Sequence, residues 1–128
     1  ISICYEAIFP DEIRRAVADG ARLLINLSND GWFSHSAAGE QHLAMARVRA
    51  VENHRWLLRA TNTGLTASVD PYGRIVAVLE PDRRAALAAP YGFRGDLTLY
   101  TRWGDWFAYL CVAVAVGVLI GSAWHRKS

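Results

Sequence analysis

A strand, a helix and a second strand are predicted from residues 1–28, ISICYEAIFPDEIRRAVADGARLLINLS. The first strand ends near Cys4. Pro10 and the two acidic residues after it suit the first turn of a helix over 10–18, because proline leaves no N–H unpaired there and acids favour the positive end of the helix dipole. The apolar run over 21–28 is typical of a strand covered on both faces. This order of elements predicts a right-handed parallel crossover and therefore an α/β fold.

One more helix and three more strands are predicted downstream. The helix spans 40–54, and the strands span 56–62, 65–70 and 74–79. The tetrapeptide Asp70-Pro71-Tyr72-Gly73 favours a type I turn, since proline pre-sets its second position and glycine suits its fourth. The last two strands are therefore expected to form an antiparallel hairpin. After a polar connector, residues 91–100 are predicted to be extended.

A membrane-spanning helix is predicted near the C-terminus. Residues 106–124, WFAYLCVAVAVGVLIGSAW, carry no charge, and a helix of this length spans roughly 28 Å, close to the hydrocarbon core of a bilayer. Aromatic residues at both ends suit the membrane interfaces. The alternative is the core helix of a soluble protein, although such helices rarely run this far without a polar residue.

Basic residues after the apolar run, Arg126 and Lys127, favour a cytoplasmic C-terminus and place the preceding domain on the outer face of the membrane. The predicted organisation is the C-terminal part of an α/β domain over 1–101, a transmembrane helix over 102–125 and a cytoplasmic tail over 126–128.

Composition narrows the classes of function. Fourteen basic and twelve acidic residues give a net charge of +2, which argues against nucleic-acid binding, because that needs a concentrated basic patch. Of the two cysteines, Cys4 lies at the end of a predicted strand and Cys111 lies inside the apolar run. They are not expected to form a disulfide. His35 and His42 flank the start of a helix without a third ligand at a recognisable spacing, so no metal site is expected.

Cys4 is the candidate nucleophile. A thiol at the carboxyl end of a parallel strand, just before a helix, lies where catalytic groups collect in α/β sheets. The turn between strand and helix presents the sulfur and aims backbone N–H groups at a developing oxyanion. A plain buried cysteine is the alternative, and the spacing alone does not separate the two.

Five segments in order carry a resemblance to a known family. They are Ile3-Cys4-Tyr5-Glu6, the run LINLSNDGWF over 24–33, the helix with Gln41-His42 and Ala44 to Glu52, the segment RATNTG over 59–64, and the turn over 70–73. With the apolar helix that follows, the chain resembles the C-terminal portion of the apolipoprotein N-acyltransferase family, which belongs to the nitrilase superfamily of carbon–nitrogen hydrolases.

The resemblance implies the C-terminal part of a nitrilase-like αββα sandwich followed by one transmembrane helix. It implies that Cys4 takes an acyl chain from a phospholipid donor as a thioester and passes it to the N-terminal lipid-modified cysteine of an apolipoprotein acceptor. This chemistry belongs to the bacterial cytoplasmic (inner) membrane, with the catalytic domain on its periplasmic face. No cofactor is implied.

Four further residues have implied places near the site. Tyr5 and Glu6 match positions beside the nucleophile, and the Tyr5 backbone N–H is a candidate oxyanion donor. For Glu6 the alternative is a structural salt bridge to an arginine. Trp32 and Phe33 match the loop beside the pocket and are candidates to face the acyl chain, with ordinary loop packing as the alternative.

The family uses a Glu-Lys-Cys triad whose Glu and Lys precede the nucleophile. Lys127 is the only lysine here, and it follows the membrane helix. Because the first residue is Ile1 within a strand, we expect a missing N-terminal portion of the same enzyme to supply the base and the lysine. These 128 residues alone are then expected to be inactive. A membrane-tethered amidase and a catalytically inactive remnant or interaction module remain alternatives.

Overall fold

The computed structural model describes residues 1–33 and 36–125. His35 and the tail over 126–128, which entered the sequence-based predictions, lie outside the described residues. The strands are β1 (Ser2–Ile3), β2 (Leu24–Ser28), β3 (Leu57–Thr61), β4 (Thr66–Val69) and β5 (Ile75–Leu79). The α-helices are α1 (Pro10–Ala18), α2 (Ala38–Asn53), α3 (Leu99–Trp103) and α4 (Trp106–His125), and short 3-10 helices cover Cys4–Ile8 and Asp30–Phe33.

The strands form one sheet in the order β1-β2-β3-β4-β5. β1, β2 and β3 are parallel, whereas β4 is antiparallel to both of its neighbours. The predicted parallel crossover through α1 and the predicted hairpin between β4 and β5 are thus confirmed. Since β1, β2 and β3 are parallel, their carboxyl ends meet at one edge of the sheet, and the side chains that follow them lie close together.

The core lies between one face of this sheet and the helices α1 and α2. Its buried apolar residues are Ala7, Ile13, Val17, Leu24, Leu43, Ala46, Ala50, Leu57, Ala67 and Val69. The opposite face is open around Ile3 and Leu27, which are 54% and 45% exposed. One sheet and one helical layer of the expected sandwich are present, and the predicted α/β class with a C-terminal apolar helix is confirmed.

Local sequence explains several boundaries. α1 has the bounds predicted for it, with Pro10 in its first turn, and Gly20 follows it with a left-handed φ of +106° that glycine adopts without strain. The strands are one to three residues shorter than predicted at their ends. α2 begins at Ala38, two residues earlier than predicted, and stops before His54, whose φ of +53° is left-handed.

The prediction of an extended segment over 91–100 is wrong at its C-terminal end, where α3 begins. The Thr98 side chain accepts a hydrogen bond from the Thr101 N–H at 3.0 Å and so caps α3. Thr101 is fully buried and donates to the Asn53 side chain at 3.0 Å, which fixes α3 against the end of α2. The segment predicted as one helix over 102–125 is divided at Gly104, whose φ is +60°.

α4 is the one helix in the described part of the chain that is long and apolar enough to cross a membrane. None of its residues is buried against other described residues. The alternative of a soluble core helix required such burial, and the structure gives no support to it. The T-shaped contacts of Trp106 with Trp103 and Phe107 place a cluster of aromatic rings at the N-terminal end of α4, as expected for a membrane interface.

Candidate active site

Cys4 lies at the carboxyl end of β1 and begins a 3-10 helix. Its φ of +48° is in the left-handed region, which costs a residue with a side chain roughly 1–3 kcal/mol and persists only where surrounding contacts enforce it. Strained turns of this kind, between a strand and a helix, raise the nucleophile above the sheet in hydrolytic enzymes. The Cys4 side chain is accordingly partly exposed rather than buried in the core.

Three hydrogen bonds hold the turn at Cys4. The Asn26 side-chain amide donates to the Cys4 carbonyl oxygen at 3.1 Å, and the His42 Nε2 lies 3.1 Å from the same oxygen. On the other side of the turn, the Ile3 N–H donates to the Glu6 carboxylate at 2.6 Å. The strained conformation is therefore fixed by groups from β2, α2 and the 3-10 helix.

The partner of the Glu6 carboxylate is a backbone N–H group of its own turn. This carboxylate caps the first turn of the 3-10 helix through the Ile3 N–H, and no arginine within 1–33 or 36–125 pairs with it. Among the described residues the carboxylate turns back on its own helix, and a salt bridge from Glu6 to an arginine stays a prediction. A direct role for Glu6 in catalysis stays a prediction.

Ser28 is the side chain that contacts the thiol. Its Oγ lies 3.5 Å from the Cys4 sulfur and 2.6 Å from the Asp30 Oδ1. A hydroxyl has one proton, and the shorter contact to a carboxylate takes it. The Cys4 S–H is then the donor toward Ser28, so that Cys4, Ser28 and Asp30 form a short chain of hydrogen bonds.

A buried polar cluster lies beneath the turn and consists of Asn26, Asp30, His42 and Arg59. All four are at most 3% exposed. The register of β1, β2 and β3 places Asn26 beside Ser2 on one side and beside Arg59 on the other. This row of buried polar side chains crosses the three parallel strands through the middle residues of β2 and β3.

Arg59 joins the cluster together. Its Nη2 donates to both Asp30 oxygens at 2.8 and 3.0 Å, and Nη1 donates to the Asn26 side-chain oxygen. The same Nη2 lies 3.1 Å from His42 Nδ1. A buried guanidinium needs a carboxylate partner and several acceptors to offset its loss of hydration, and the cluster supplies them.

Two pKa values follow from this packing. Burial raises the pKa of Asp30, but the hydrogen bonds from Ser28 and Arg59 outweigh it and hold that pKa below its ordinary value. Burial and the Arg59 charge together lower the pKa of His42. Asp30 is thus a weak base, and it is a poor candidate to take the Cys4 proton during catalysis.

The lowered pKa of His42 predicts a pH dependence of stability. The groups around the ring are Arg59, Asp30, the Cys4 carbonyl and, at 6.2 Å, the Tyr5 ring. The unfolded chain binds a proton at His42 near the ordinary pKa of 6.5, whereas the folded chain binds it only at a lower pH. The contribution of neutral His42 to the free energy of unfolding is therefore complete above pH 6.5 and is lost as the pH falls below that value.

We expect the thermal unfolding midpoint to fall between about pH 7.5 and pH 5.5 by more in the wild-type protein than in His42→Gln, which has no proton to bind in this window. The measurement is differential scanning fluorimetry of both proteins in one detergent. Parallel curves for the two proteins over this range would contradict the expectation.

Two clefts lie near the cluster. The first has a volume of about 420 Å³ and is lined partly by acidic residues, namely Asp30, Glu40, Glu80 and Asp82; Cys4 does not line it. The second is a shallow groove of about 400 Å³ on the open side of the sheet. It is lined by Leu27, Ser28 and Ala60 among others. Cys4 does not line this groove either, but Ser28, which contacts the Cys4 sulfur, lies on its wall.

The aromatic residues predicted near the site have different surroundings. Tyr5 is 55% exposed, and its ring packs edge-on against Phe9 at 5.8 Å. Trp32 is 84% exposed to solvent among the described residues. The Phe33 side chain lies outside the described residues. Roles for Tyr5, Trp32 and Phe33 in substrate binding stay predictions.

Sequence reasoning missed Asn26, Ser28, Asp30, His42 and Arg59 as parts of the site. A signal for two of them was present, because Asn26 and Arg59 interrupt apolar strands at inward-pointing positions. A polar side chain there needs a buried partner. The partner of Arg59 is Asp30 in the loop after β2, and this pairing depends on strand register rather than on sequence distance.

Comparison with known proteins agrees with this geometry. The family model for carbon–nitrogen hydrolases matches residues 1–89. The crystal structure of Nit3 from Saccharomyces cerevisiae, a member of branch 10 of the nitrilase superfamily, superposes with a TM-score of 0.54 and 28% identity, covering 62% of this chain and 32% of that one.

Curated relatives match over a longer span. The apolipoprotein N-acyltransferase of Geobacter metallireducens is 42% identical over 128 residues, which is 100% of this chain and 24% of the relative. That of Thermotoga maritima is 45% identical over 116 residues, covering 91% of this chain and 23% of the relative. The resemblance found in the sequence is confirmed, and the chain spans about a quarter of the length of these relatives.

Proposed function

The chain belongs to the carbon–nitrogen hydrolase family, and we propose that it carries the nucleophile of an apolipoprotein N-acyltransferase. One observation carries the proposal: the similarity to enzymes of that name continues through all 128 residues, including α4. The match to the general family model ends at residue 89. The similarity to the acyltransferases thus includes the apolar helix. Such a helix suits an enzyme whose substrate is a membrane lipid.

In the proposed reaction, the Cys4 thiolate attacks the ester carbonyl carbon of a phospholipid. The C–O bond to the glycerol oxygen breaks, that oxygen leaves with a proton, and the acyl chain remains on sulfur as a thioester. The α-amino nitrogen of the lipid-modified cysteine of an apolipoprotein then attacks the thioester. The C–S bond breaks, an amide forms, and the amine proton restores the thiol through a base.

The described residues supply the nucleophile and its support in this scheme. Ser28 accepts a hydrogen bond from the Cys4 thiol, and the groove along Leu27 and Ala60 offers an apolar surface to the acyl chain. The hydrogen bonds from Ser28 and Arg59 keep the pKa of Asp30 low, which makes this carboxylate a poor candidate for the base. We assign the base and a lysine for the oxyanion to the triad positions that the family pattern places before the nucleophile.

The proposed organisation follows the same resemblance. Residues 1–101 form the nucleophile-bearing part of the catalytic domain, the membrane helix within 102–125 corresponds to α4, and 126–128 form a cytoplasmic tail. The basic residues at the C-terminus favour a catalytic domain on the periplasmic face of the bacterial inner membrane.

Trapping the thioester tests the function. The gene product that contains this sequence is incubated in detergent with a phospholipid bearing an isotope-labelled acyl chain, and the Cys4 peptide is analysed by mass spectrometry. We expect an added acyl mass on Cys4 that neutral hydroxylamine removes. Adding a peptide with an N-terminal diacylglyceryl cysteine should clear the adduct and place the label on its α-amine.

Other outcomes would identify the alternatives. Release of free fatty acid or hydrolysis of small amides, without label on the acceptor amine, would indicate a membrane-tethered amidase. The absence of any acyl mass on Cys4, in a preparation that also leaves the acceptor unmodified, would indicate an inactive remnant. An acylated acceptor without modification of Cys4 would overturn the assignment of the nucleophile.

A further inference from the structure

The carbonyl group of Cys4 is the best-supported backbone group of the turn. It accepts hydrogen bonds from the Asn26 side chain and from His42, both at 3.1 Å. The direction of this carbonyl is tied to the left-handed φ of +48° at Cys4. If the peptide between Cys4 and Tyr5 rotated to an ordinary conformation, the carbonyl would leave both donors and the sulfur would change its direction.

The hydrogen-bond partners of His42 define which ring nitrogen carries the proton. Arg59 Nη2 lies 3.1 Å from Nδ1, and a guanidinium only donates, so Nδ1 must accept. The proton of a neutral ring is then on Nε2, which lies 3.1 Å from the Cys4 carbonyl oxygen. Asp30 Oδ1 is 3.4 Å from the same Nδ1, but without a proton there the contact is not an ion pair.

This arrangement excludes two other roles for His42. Its Nε2 carries the ring proton and donates to the Cys4 carbonyl oxygen, so this nitrogen has no lone pair with which to take the thiol proton. Its Nδ1 lone pair is directed at Arg59, which is itself held by both oxygens of Asp30. The ring is therefore fixed in one tautomer and one orientation by a buried ion pair.

We propose that His42 is a positioning residue for Cys4: it donates from Nε2 to the Cys4 carbonyl, in a tautomer that Arg59 imposes, and so keeps the turn in the conformation that presents the thiol. The inference rests on the proposed function of Cys4 as a nucleophile. Its physical basis is that attack geometry is demanding, since a displacement of about 1 Å lowers a rate by about 100-fold.

Two conservative variants separate positioning from packing. In His42→Gln, the side-chain amide reaches as far as the imidazole Nε2, so its N–H can donate to Cys4 while its carbonyl oxygen accepts from Arg59. In His42→Asn, the amide is one bond shorter; it can still accept from Arg59 but does not reach the Cys4 carbonyl. The two variants therefore differ in the hydrogen bond under test.

Two rates are measured on the gene product that contains this sequence. The first is acylation of Cys4 by labelled phospholipid, and the second is alkylation of Cys4 by iodoacetamide, both followed by mass spectrometry of the Cys4 peptide. We expect His42→Asn to slow acylation about tenfold or more and His42→Gln to stay within about threefold of wild type. We also expect the alkylation rate of His42→Asn, and not that of His42→Gln, to depart from wild type.

Thermal unfolding of the variants completes the test. Equal acylation rates per folded molecule in His42→Asn and wild type would overturn the inference. It would also be overturned if His42→Asn and His42→Gln lost acylation rate equally and lost thermal stability equally. If the wild-type protein forms an acyl adduct and His42→Asn forms it just as fast, only the positioning role fails. If wild type forms no adduct on Cys4, the proposed function fails, and the alkylation rates still decide the role of His42.

Discussion

Cys4→Ser is expected to abolish transfer of an acyl chain to the lipoprotein amine, with a loss of rate on the order of 10³-fold or more. Serine occupies nearly the same volume and can keep the turn, but its hydroxyl ionises far less readily than a thiol. A site without a base tuned for a hydroxyl cannot activate it, so no covalent intermediate forms. The measurement is the rate of amide formation on a diacylglyceryl-cysteine peptide, together with the acyl adduct on residue 4.

Cys111→Ser is the matched control for this variant. Cys111 lies in the N-terminal third of α4, is exposed on the surface of the helix and has no place in the proposed reaction. We expect its rate to stay within about twofold of wild type, since an exposed substitution away from the site changes little. Retention of amide formation in Cys4→Ser, at a rate close to that of the control, would remove Cys4 as the nucleophile.

Arg59→Met is expected to cause the largest loss of stability among single substitutions in the sheet. Methionine keeps most of the length of the side chain but leaves the Asp30 carboxylate buried without its cation. Removing one partner of a buried ion pair costs about 3–5 kcal/mol. The hydrogen bonds to Asn26 and His42 are lost at the same time, so the support of the Cys4 turn should weaken with the fold.

The measurement is the thermal unfolding midpoint in detergent, compared with two further proteins. Arg15→Met removes an arginine from a solvent-exposed pair with Asp11 and should leave the midpoint unchanged. The double variant Asp30→Asn/Arg59→Met should be less destabilised than Arg59→Met alone, because it removes the unpaired charge. A midpoint for Arg59→Met equal to that of Arg15→Met would show that the buried pair contributes little.

The order of strands and helices in the sheet domain could largely be predicted from local sequence. Pro10 and Gly20 bracket α1 because one fits a first helical turn and the other a left-handed position after the helix. The apolar run over 24–28 and the turn over 70–73 predicted β2 and the final hairpin. α3 was missed because its first turn is stabilised by a long-range contact. Thr98 caps the helix by accepting a hydrogen bond from the Thr101 N–H, and Thr101 is itself held in place by burial against α2.

The site could be predicted less well from the sequence, because its geometry depends on long-range contacts. Cys4 was placed by the order of elements and by family resemblance, but its left-handed backbone has no local signal, since no glycine or asparagine occupies the turn. The conformation is enforced by Asn26 and His42, which lie 22 and 38 positions further along the chain. Contacts of that range appear only when the strands are in register.

The connection between α3 and α4 has a kinetic consequence. Only Gly104 and Asp105 separate the helix docked on α2 from the apolar helix, and two residues extend at most about 7 Å. With α4 in a bilayer, the sheet and helices that carry Cys4 cannot leave the membrane surface to sample bulk solution. A lipid substrate would then meet it at a concentration set by its mole fraction in the surrounding lipid or micelle. Added detergent should slow the reaction by surface dilution, even when the total amounts of enzyme and substrate are constant.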